Sequence, residues 1–162
     1  MARATFAAWA LAIILMPAAA FAQCANPEGK HVHVYMMRGL LRGGSLGLDA
    51  LATKLTTRGI HTTVRSWREH SDVAVEASMV NAPVVIIGHS LGGNRAVSAA
   101  SAIKRPVALL VLFDPVPEPG EIPSNVKSVL RFDANGWFEH VRIDDDERLH
   151  AKVIKKICGL LQ

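Results

Sequence analysis

The sequence predicts an α/β fold, in which a doubly wound and mostly parallel sheet of five to six strands is flanked by helices. Short apolar runs, such as residues 84–87 and 107–113, are typical of strands that are buried on both faces. Segments with apolar residues at helical spacing lie between these runs. Strands and helices therefore alternate along the chain, and this order favours parallel strands joined by right-handed crossovers.

The predicted elements occupy most of the chain after its first 30 residues. The predicted strands are residues 31–36, 60–67, 84–87, 107–113 and 126–132, and the predicted helices are residues 48–55, 72–80, 91–103 and from about 144 onward. Residues 141–143 could add a short sixth strand. The stiff, proline-rich loop at residues 115–125 leaves no room for a cap domain after the fourth strand.

Each predicted helix carries an apolar stripe that would face the sheet, and its ends carry matching signals. Gly59 ends the first helix. Acidic residues start the last helix and lysines lie toward its end, as the helix dipole favours. The stripes are Leu48, Leu51, Ala52 and Leu55, then Val73, Ala77 and Val80, then Ala96, Ala99, Ala100 and Ala102, and finally Leu149, Val153, Ile157 and Leu160.

Residues 1–22 are predicted to be a signal peptide, which leaves residues 23–162 as one domain. Arg3 gives a positive start, residues 6–16 are apolar, and Ala20-Phe21-Ala22 suits cleavage after Ala22. A membrane-spanning helix is the weaker interpretation, because the apolar stretch is short and Pro17 interrupts it. We therefore expect an exported protein, periplasmic or secreted, without a membrane anchor after cleavage.

Charge and cysteine content narrow the function classes further. The net charge is +4, or +3 without Arg3, and it is spread without a basic run, so nucleic acid binding is not indicated. Cys24 and Cys158 lie at opposite ends of the mature chain, and in an oxidising compartment such a pair can close into a disulfide. Two unpaired thiols are the alternative.

The most informative motif is the G-x-S-x-G spacing of Gly88, Ser90 and Gly92. It follows an apolar strand and precedes a small-residue helix, which is the context that such a motif requires. Glycines at both flanks allow a strained turn that pushes the serine hydroxyl outward. The motif therefore predicts Ser90 as a nucleophile.

The run Gly-His-Ser-Leu-Gly-Gly at residues 88–93 resembles the nucleophile elbow of the α/β-hydrolase superfamily, particularly of its lipases, esterases and thioesterases. The resemblance implies a serine hydrolase that cleaves ester or thioester bonds through an acyl-enzyme, and the predicted signal peptide makes it an exported one. Without a cap, an exposed and shallow site similar to that of small cutinase-like esterases is expected. The alternative is a noncatalytic binding module with a degenerate site.

A serine nucleophile needs a base, and His140 is the predicted one. His31, His33 and His61 lie at the amino ends of strands, the wrong edge for a site in a parallel sheet. His140 precedes the last helix, where the base of α/β-hydrolases lies. His150 lies inside that helix, where a surface position is expected, and it is the alternative base.

The third member of a triad is a carboxylate that orients the base. Asp114 follows the fourth strand and precedes Pro115, which is expected to force an extended backbone on it. Asp133, after the fifth strand, is the alternative acid. The order Ser90, Asp114, His140 matches that of the superfamily.

The oxyanion donors are expected to be the backbone N–H groups of Leu91 and Leu40, the latter next to Gly39 in the first strand-to-helix loop. No cofactor is predicted. The chain has no H-E-x-x-H motif or paired cysteine spacing for a metal, and the elbow lacks the lysine of a phosphate-binding loop. The predicted partner is a small-molecule ester or thioester.

Overall fold

The computed structural model describes residues 24, 29–40 and 45–162. Five strands form one parallel sheet in the order β2-β1-β3-β4-β5. The strands are β1 His33–Arg38, β2 His61–Ser66, β3 Val84–His89, β4 Val107–Phe113 and β5 Val129–Phe132. The helices are α1 Leu46–Thr56, α2 His70–Met79, α3 Leu91–Ala102, α4 Trp137–His140 and α5 Glu147–Cys158. Short 3₁₀ segments cover Trp67–Glu69, Ile143–Asp145 and Gly159–Leu161.

Helices cover both faces of the sheet, and each face has its own apolar core. The first core packs α1 and α5 against one face through Leu48, Leu51, Leu55, Val153 and Ile157. The second packs α2 and α3 against the other face through Val73, Ala77, Ala96, Ala99 and Ala100. β3 and β4 lie between the two cores and are almost wholly buried. The doubly wound parallel sheet is therefore confirmed.

The strand order reverses between β1 and β3. The chain passes from β1 outward to β2 and then returns to the other side of β1. The connections that leave the carboxyl ends of β1 and β3 therefore turn toward opposite faces of the sheet, as α1 and α3 do. The crevice at such a switch point is where ligands bind in open α/β sheets.

The possible sixth strand at residues 141–143 does not form, and several predicted element boundaries shift, two of them by three residues. At residues 141–142 the backbone N–H groups donate to Trp137 and Glu139 carbonyls, so this segment continues a helical turn and pairs with no strand. Val126 makes an isolated bridge to Val107, and β5 begins later, at Val129. The last helix begins at Glu147, because Asp146 caps it by accepting from the N–H groups of Arg148 and Leu149.

The predicted disulfide is present between Cys24 and Cys158, whose Cα atoms are 5.0 Å apart. It ties the start of the described chain to the end of α5. Every helix in the described ranges is too short or too polar to cross a bilayer. The predicted signal peptide, residues 1–22, lies outside the described residues.

Candidate active site

Ser90 lies at a strained corner between β3 and α3. Its backbone angles are φ 55° and ψ −126°, a region that residues other than glycine rarely adopt. The corner is tight, since a Cβ at Gly88 would lie 2.3 Å from the Gly92 carbonyl oxygen and a Cβ at Gly92 would lie 2.1 Å from that of Met37. The two glycines of the motif are thus required by close backbone approach, and the Ser90 side chain projects into a cavity at the carboxyl edge of the sheet.

His140 lies beside Ser90 at the end of the short helix α4. Its Nε2 atom is 3.0 Å from Ser90 Oγ. The residue is only 9% exposed, and the indole of Trp137 stacks on its ring with centroids 5.4 Å apart. Gly136, with a φ of 94°, turns the chain into α4. Burial and stacking therefore hold the imidazole in one orientation toward the serine.

Asp114 completes the line on the far side of His140. Its Oδ2 atom is 2.5 Å from His140 Nδ1, and its Oδ1 atom accepts from the N–H of Ala134 at 3.2 Å. The expected extended backbone at Asp114 is wrong, because its φ is 40°. Aspartate tolerates this left-handed conformation better than most residues, and the bond from its N–H to the Phe132 carbonyl holds it there.

The two alternative residues lie in other surroundings. Asp133 accepts from Arg131 Nε at 2.7 Å, and its side chain is mostly exposed. His150 is buried, so its expected surface position is wrong. Its Nε2 lies 2.5 Å from the Asp144 carbonyl oxygen and its Nδ1 lies 2.9 Å from Lys54 Nζ. Burial lowers the pKa of His150. The structure brings Asp114 and His140 together with Ser90, and it leaves Asp133 and His150 in other contacts.

No protein-family model and no curated protein matches the chain. Among solved structures it is similar to a protein from Xanthomonas campestris pv. campestris that is described as a candidate hydrolase of the alpha/beta superfamily. The two share 18% identity and a TM-score of 0.52 over 76% of this chain and 98% of the other. This chain has an α/β-hydrolase fold. At this identity the likeness concerns the fold, and what the residues do must be argued from the site.

The predicted oxyanion donors lie at the same cavity of the α/β-hydrolase fold. Leu91 opens α3, and Leu40 follows β1, and both residues line the cavity next to Ser90. The N–H of Gly39 donates to Ser45 Oγ at 3.0 Å. The Gly39 N–H is therefore already engaged, which leaves the Leu40 N–H as the candidate donor of the two neighbours.

The cavity that holds Ser90 and His140 has a volume of about 340 Å³, and most of its walls are apolar. Leu40, Val116, Pro117, Trp137 and Val141 form these walls. Leu40, Val116 and Trp137 are also exposed to solvent, so the apolar walls reach the protein surface. The cavity suits an apolar group that enters from solvent and meets the serine.

Sequence reasoning missed a group of buried polar side chains at and behind the cavity. Ser45, His89 and Asp144 are each no more than 2% exposed. The last helix was expected to start near Asp144, but this residue precedes the helix: its Oδ2 accepts from the Leu48 N–H at 3.3 Å, and burial raises its pKa to about 7. One signal was Gly47, where a Cβ would lie 2.0 Å from the Asp144 carbonyl oxygen. A glycine inside an amphipathic helix can indicate such a close approach of another segment.

Proposed function

We propose that this chain is a serine hydrolase that cleaves carboxylic ester or thioester bonds through an acyl-enzyme on Ser90. The observation that carries the proposal is the continuous line of side chains from Ser90 Oγ through both nitrogens of His140 to Asp114 Oδ2, with steps of 3.0 and 2.5 Å. A serine hydroxyl is a weak nucleophile and needs a base within hydrogen-bond reach, with that base oriented by a third group. Both conditions are met at one corner of the sheet.

The proposed reaction follows from this line. Ser90 Oγ attacks the carbonyl carbon of the substrate while its proton passes to His140 Nε2. Asp114 accepts the Nδ1–H bond, keeps Nε2 free to take the proton, and stabilises the imidazolium that forms. His140 then gives the proton to the departing alkoxide or thiolate. A water molecule releases the acyl group from Ser90 by the same two proton transfers.

The negative oxygen of the tetrahedral intermediate needs two donors. We assign the N–H groups of Leu91 and Leu40 to this role. Leu91 opens the twelve-residue helix α3, whose positive amino end also favours the developing charge. Loss of one such donor typically costs about 3 kcal/mol of transition-state stabilisation.

Because the cavity walls are mostly apolar, we expect the cavity to bind the acyl group of the substrate, and we expect that group to be apolar. Trp137 and Val116 would contact such a group where it passes His140. Each methylene that is buried on binding contributes about 0.8 kcal/mol, so affinity is expected to rise with chain length until the chain leaves the cavity.

We further propose that the protein acts outside the cytoplasm after removal of residues 1–22. The disulfide between Cys24 and Cys158 supports this location, because such bonds persist mainly in oxidising compartments. A periplasmic or secreted enzyme fits this proposal equally well.

The proposed function is tested with a fluorophosphonate probe on the full mature chain. We expect the probe to label wild type and to leave Ser90→Ala unlabelled. Ser98→Ala, which removes another hydroxyl from α3, is the matched control and should label as wild type does. If the folded wild type is not labelled, the noncatalytic binding module becomes the better interpretation.

A further inference from the structure

A second hydrogen-bonded chain runs directly behind the proposed catalytic line. His89 is the residue between Gly88 and Ser90 in the elbow, and its ring is 2% exposed. Its Nε2 lies 2.8 Å from the backbone carbonyl oxygen of His140, and its Nδ1 lies 2.9 Å from Ser45 Oγ. Ser45 Oγ in turn accepts from the Gly39 N–H at 3.0 Å.

The proton positions along this chain follow from the partners. A carbonyl oxygen can only accept, so His89 Nε2 must carry the hydrogen. Burial lowers the pKa of His89 and keeps the ring neutral near pH 7, so Nδ1 is an acceptor. Ser45 therefore donates its hydroxyl hydrogen to Nδ1, and its oxygen is left to accept from Gly39. One tautomer satisfies these three hydrogen bonds, and the Asp144 Oδ1 atom, 3.7 Å from Nδ1, lies beyond hydrogen-bond distance.

The chain joins three parts of the site that are far apart in sequence. It begins at Gly39, which precedes the proposed oxyanion donor Leu40. It passes through His89, which precedes Ser90, and it ends on the backbone of His140. A Cβ at Gly39 would lie 3.0 Å from Ser90 Cβ, so the first of these segments packs directly on the elbow.

We propose that Ser45 and His89 form a clamp between two parts of the site. The clamp sets the distance between the segment Gly39–Leu40, which carries the proposed oxyanion donor, and the His140 backbone. The clamp rests on the proposed function, and Ser45 and His89 are positioning residues in it. Neither side chain needs to touch the reacting atoms. Their effect is to hold the Leu40 N–H and the His140 ring at fixed separations from Ser90 Oγ.

The clamp predicts a specific kinetic signature. A shift of about 1 Å in a catalytic group can cost about 100-fold in rate, even when substrate still binds. Loss of the clamp should therefore lower kcat and leave KM nearly unchanged. A role limited to filling the core would lower thermal stability and leave kcat unchanged.

The test compares Ser45→Ala, His89→Gln and the double variant with wild type, by kcat and KM for p-nitrophenyl butyrate and by thermal unfolding. Ser45→Ala removes the hydroxyl that joins Gly39 to the ring. His89→Gln keeps a donor for the His140 carbonyl and displaces the acceptor for Ser45. We expect kcat to fall about 10- to 100-fold in each single variant, with KM within about threefold of wild type. The double variant should lose no more than the worse single variant, because both changes break one chain.

His150→Gln is the matched control. His150 is also a buried histidine whose Nε2 bonds to a backbone carbonyl, that of Asp144, but it does not line the cavity. We expect a lower Tm and a kcat within about twofold of wild type.

Ser45→Ala with a kcat within about twofold of wild type overturns the clamp, whatever its Tm, and this variant decides the matter alone if His89→Gln does not fold. An unlabelled wild type in the fluorophosphonate experiment would instead overturn the proposed function and the clamp together. A labelled wild type with an unaffected Ser45→Ala variant overturns only the clamp.

Discussion

At the carboxyl edge of the sheet, Ser90 and Asp114 have positive φ angles of 55° and 40°, although neither is glycine. The side chains of His89, His140 and Asp144 are buried at this edge. Asp144 also has a buried Oδ1 atom without a hydrogen-bond partner. The positive φ angles and the unpartnered carboxylate oxygen each cost stability.

At the amino edge, polar groups find ordinary partners. His33 Nε2 lies 3.1 Å from His61 Nδ1 and 3.3 Å from Thr63 Oγ1. The Asn125 amide donates to three backbone carbonyls near the end of α3, those of Ala100, Ile103 and Arg105. The Lys30 ammonium bonds the carbonyl of Gln162, which brings the chain end close to the start of β1 and to the disulfide.

Both edges hold a histidine near a hydroxyl, so residue types alone do not make a site. The carboxyl edge differs because a strained turn exposes the hydroxyl and a carboxylate orients the imidazole. Functional sites commonly concentrate strain and buried polar groups that the rest of the fold must offset. We therefore expect substitutions at the carboxyl edge to lower activity. Substitutions at the amino edge should lower stability and leave activity nearly unchanged.

The largest expected effect contrasts the histidines of the two edges. His140→Ala should lower kcat for p-nitrophenyl butyrate by about 10⁶-fold, because it removes the proposed base. His33→Ala, at the amino edge, should leave kcat within about twofold of wild type. Steady-state kinetics on both folded variants checks this contrast. A His140→Ala enzyme that retains a tenth of wild-type turnover would contradict the proposed base.

The second largest expected effect distinguishes two aspartates at the carboxyl edge, Asp114 and Asp133. Asp114→Asn should lower kcat by about 10⁴-fold, because an amide favours the wrong tautomer of His140. Asp133→Asn loses only an exposed contact with Arg131, and we expect a change of less than about threefold. The same ester assay measures both variants. A large loss in Asp133→Asn alone would reverse the assignment of the acid.

The next prediction concerns the disulfide near the amino edge, whose removal should affect stability and leave activity nearly unchanged. It closes a loop across a sequence separation of 134, and the double variant Cys24→Ala/Cys158→Ala should lower the free energy of unfolding by roughly 5 kcal/mol. Urea unfolding measures this loss, and kcat well below the unfolding transition should stay within about twofold of wild type. Free thiols in the unfolded, unreduced wild type would show that the bond does not form.

The smallest expected effect concerns the buried Asp144. Its pKa is raised to about 7 in the folded protein, chiefly by burial, from 3.8. The protonated group contributes no penalty below pH 4, and stability is lost as pH rises toward 7, because the unfolded chain ionises first. The loss is on the order of 4 kcal/mol at most.

Asp144→Asn should therefore flatten the dependence of unfolding free energy on pH between 4 and 8. Urea unfolding at several pH values measures the slope for both proteins. The comparison at about pH 2.5, well below both pKa values, is the internal control, since Asp144 is protonated there in both states and only the amide substitution differs. Equal slopes for variant and wild type would show that the carboxyl group is hydrated or charged in the folded protein.

Much of the fold could be predicted from local patterns. Residues 107–113 are apolar throughout, and the structure has a strand with these same bounds. Residues 126–132 were harder, because β5 is an edge strand with alternating burial and its start depends on pairing with β4. The segment 141–143 has β-branched residues, which favour a strand. Its first two backbone N–H groups instead donate to carbonyls of α4, so no sixth strand forms there.

A serine at a sharp strand-to-helix corner follows from the sequence alone, because the apolar run, the glycines and the small-residue helix are contiguous and each acts over a few residues. Which histidine reaches that serine, and which aspartate reaches the histidine, depends on tertiary packing, since these contacts span 50 and 26 residues. The burial of His89, Asp144 and His150 was likewise decided by packing between α1, α5 and the sheet. The local pattern of residue types largely determines backbone geometry. The environment of a side chain depends on segments that meet only after folding.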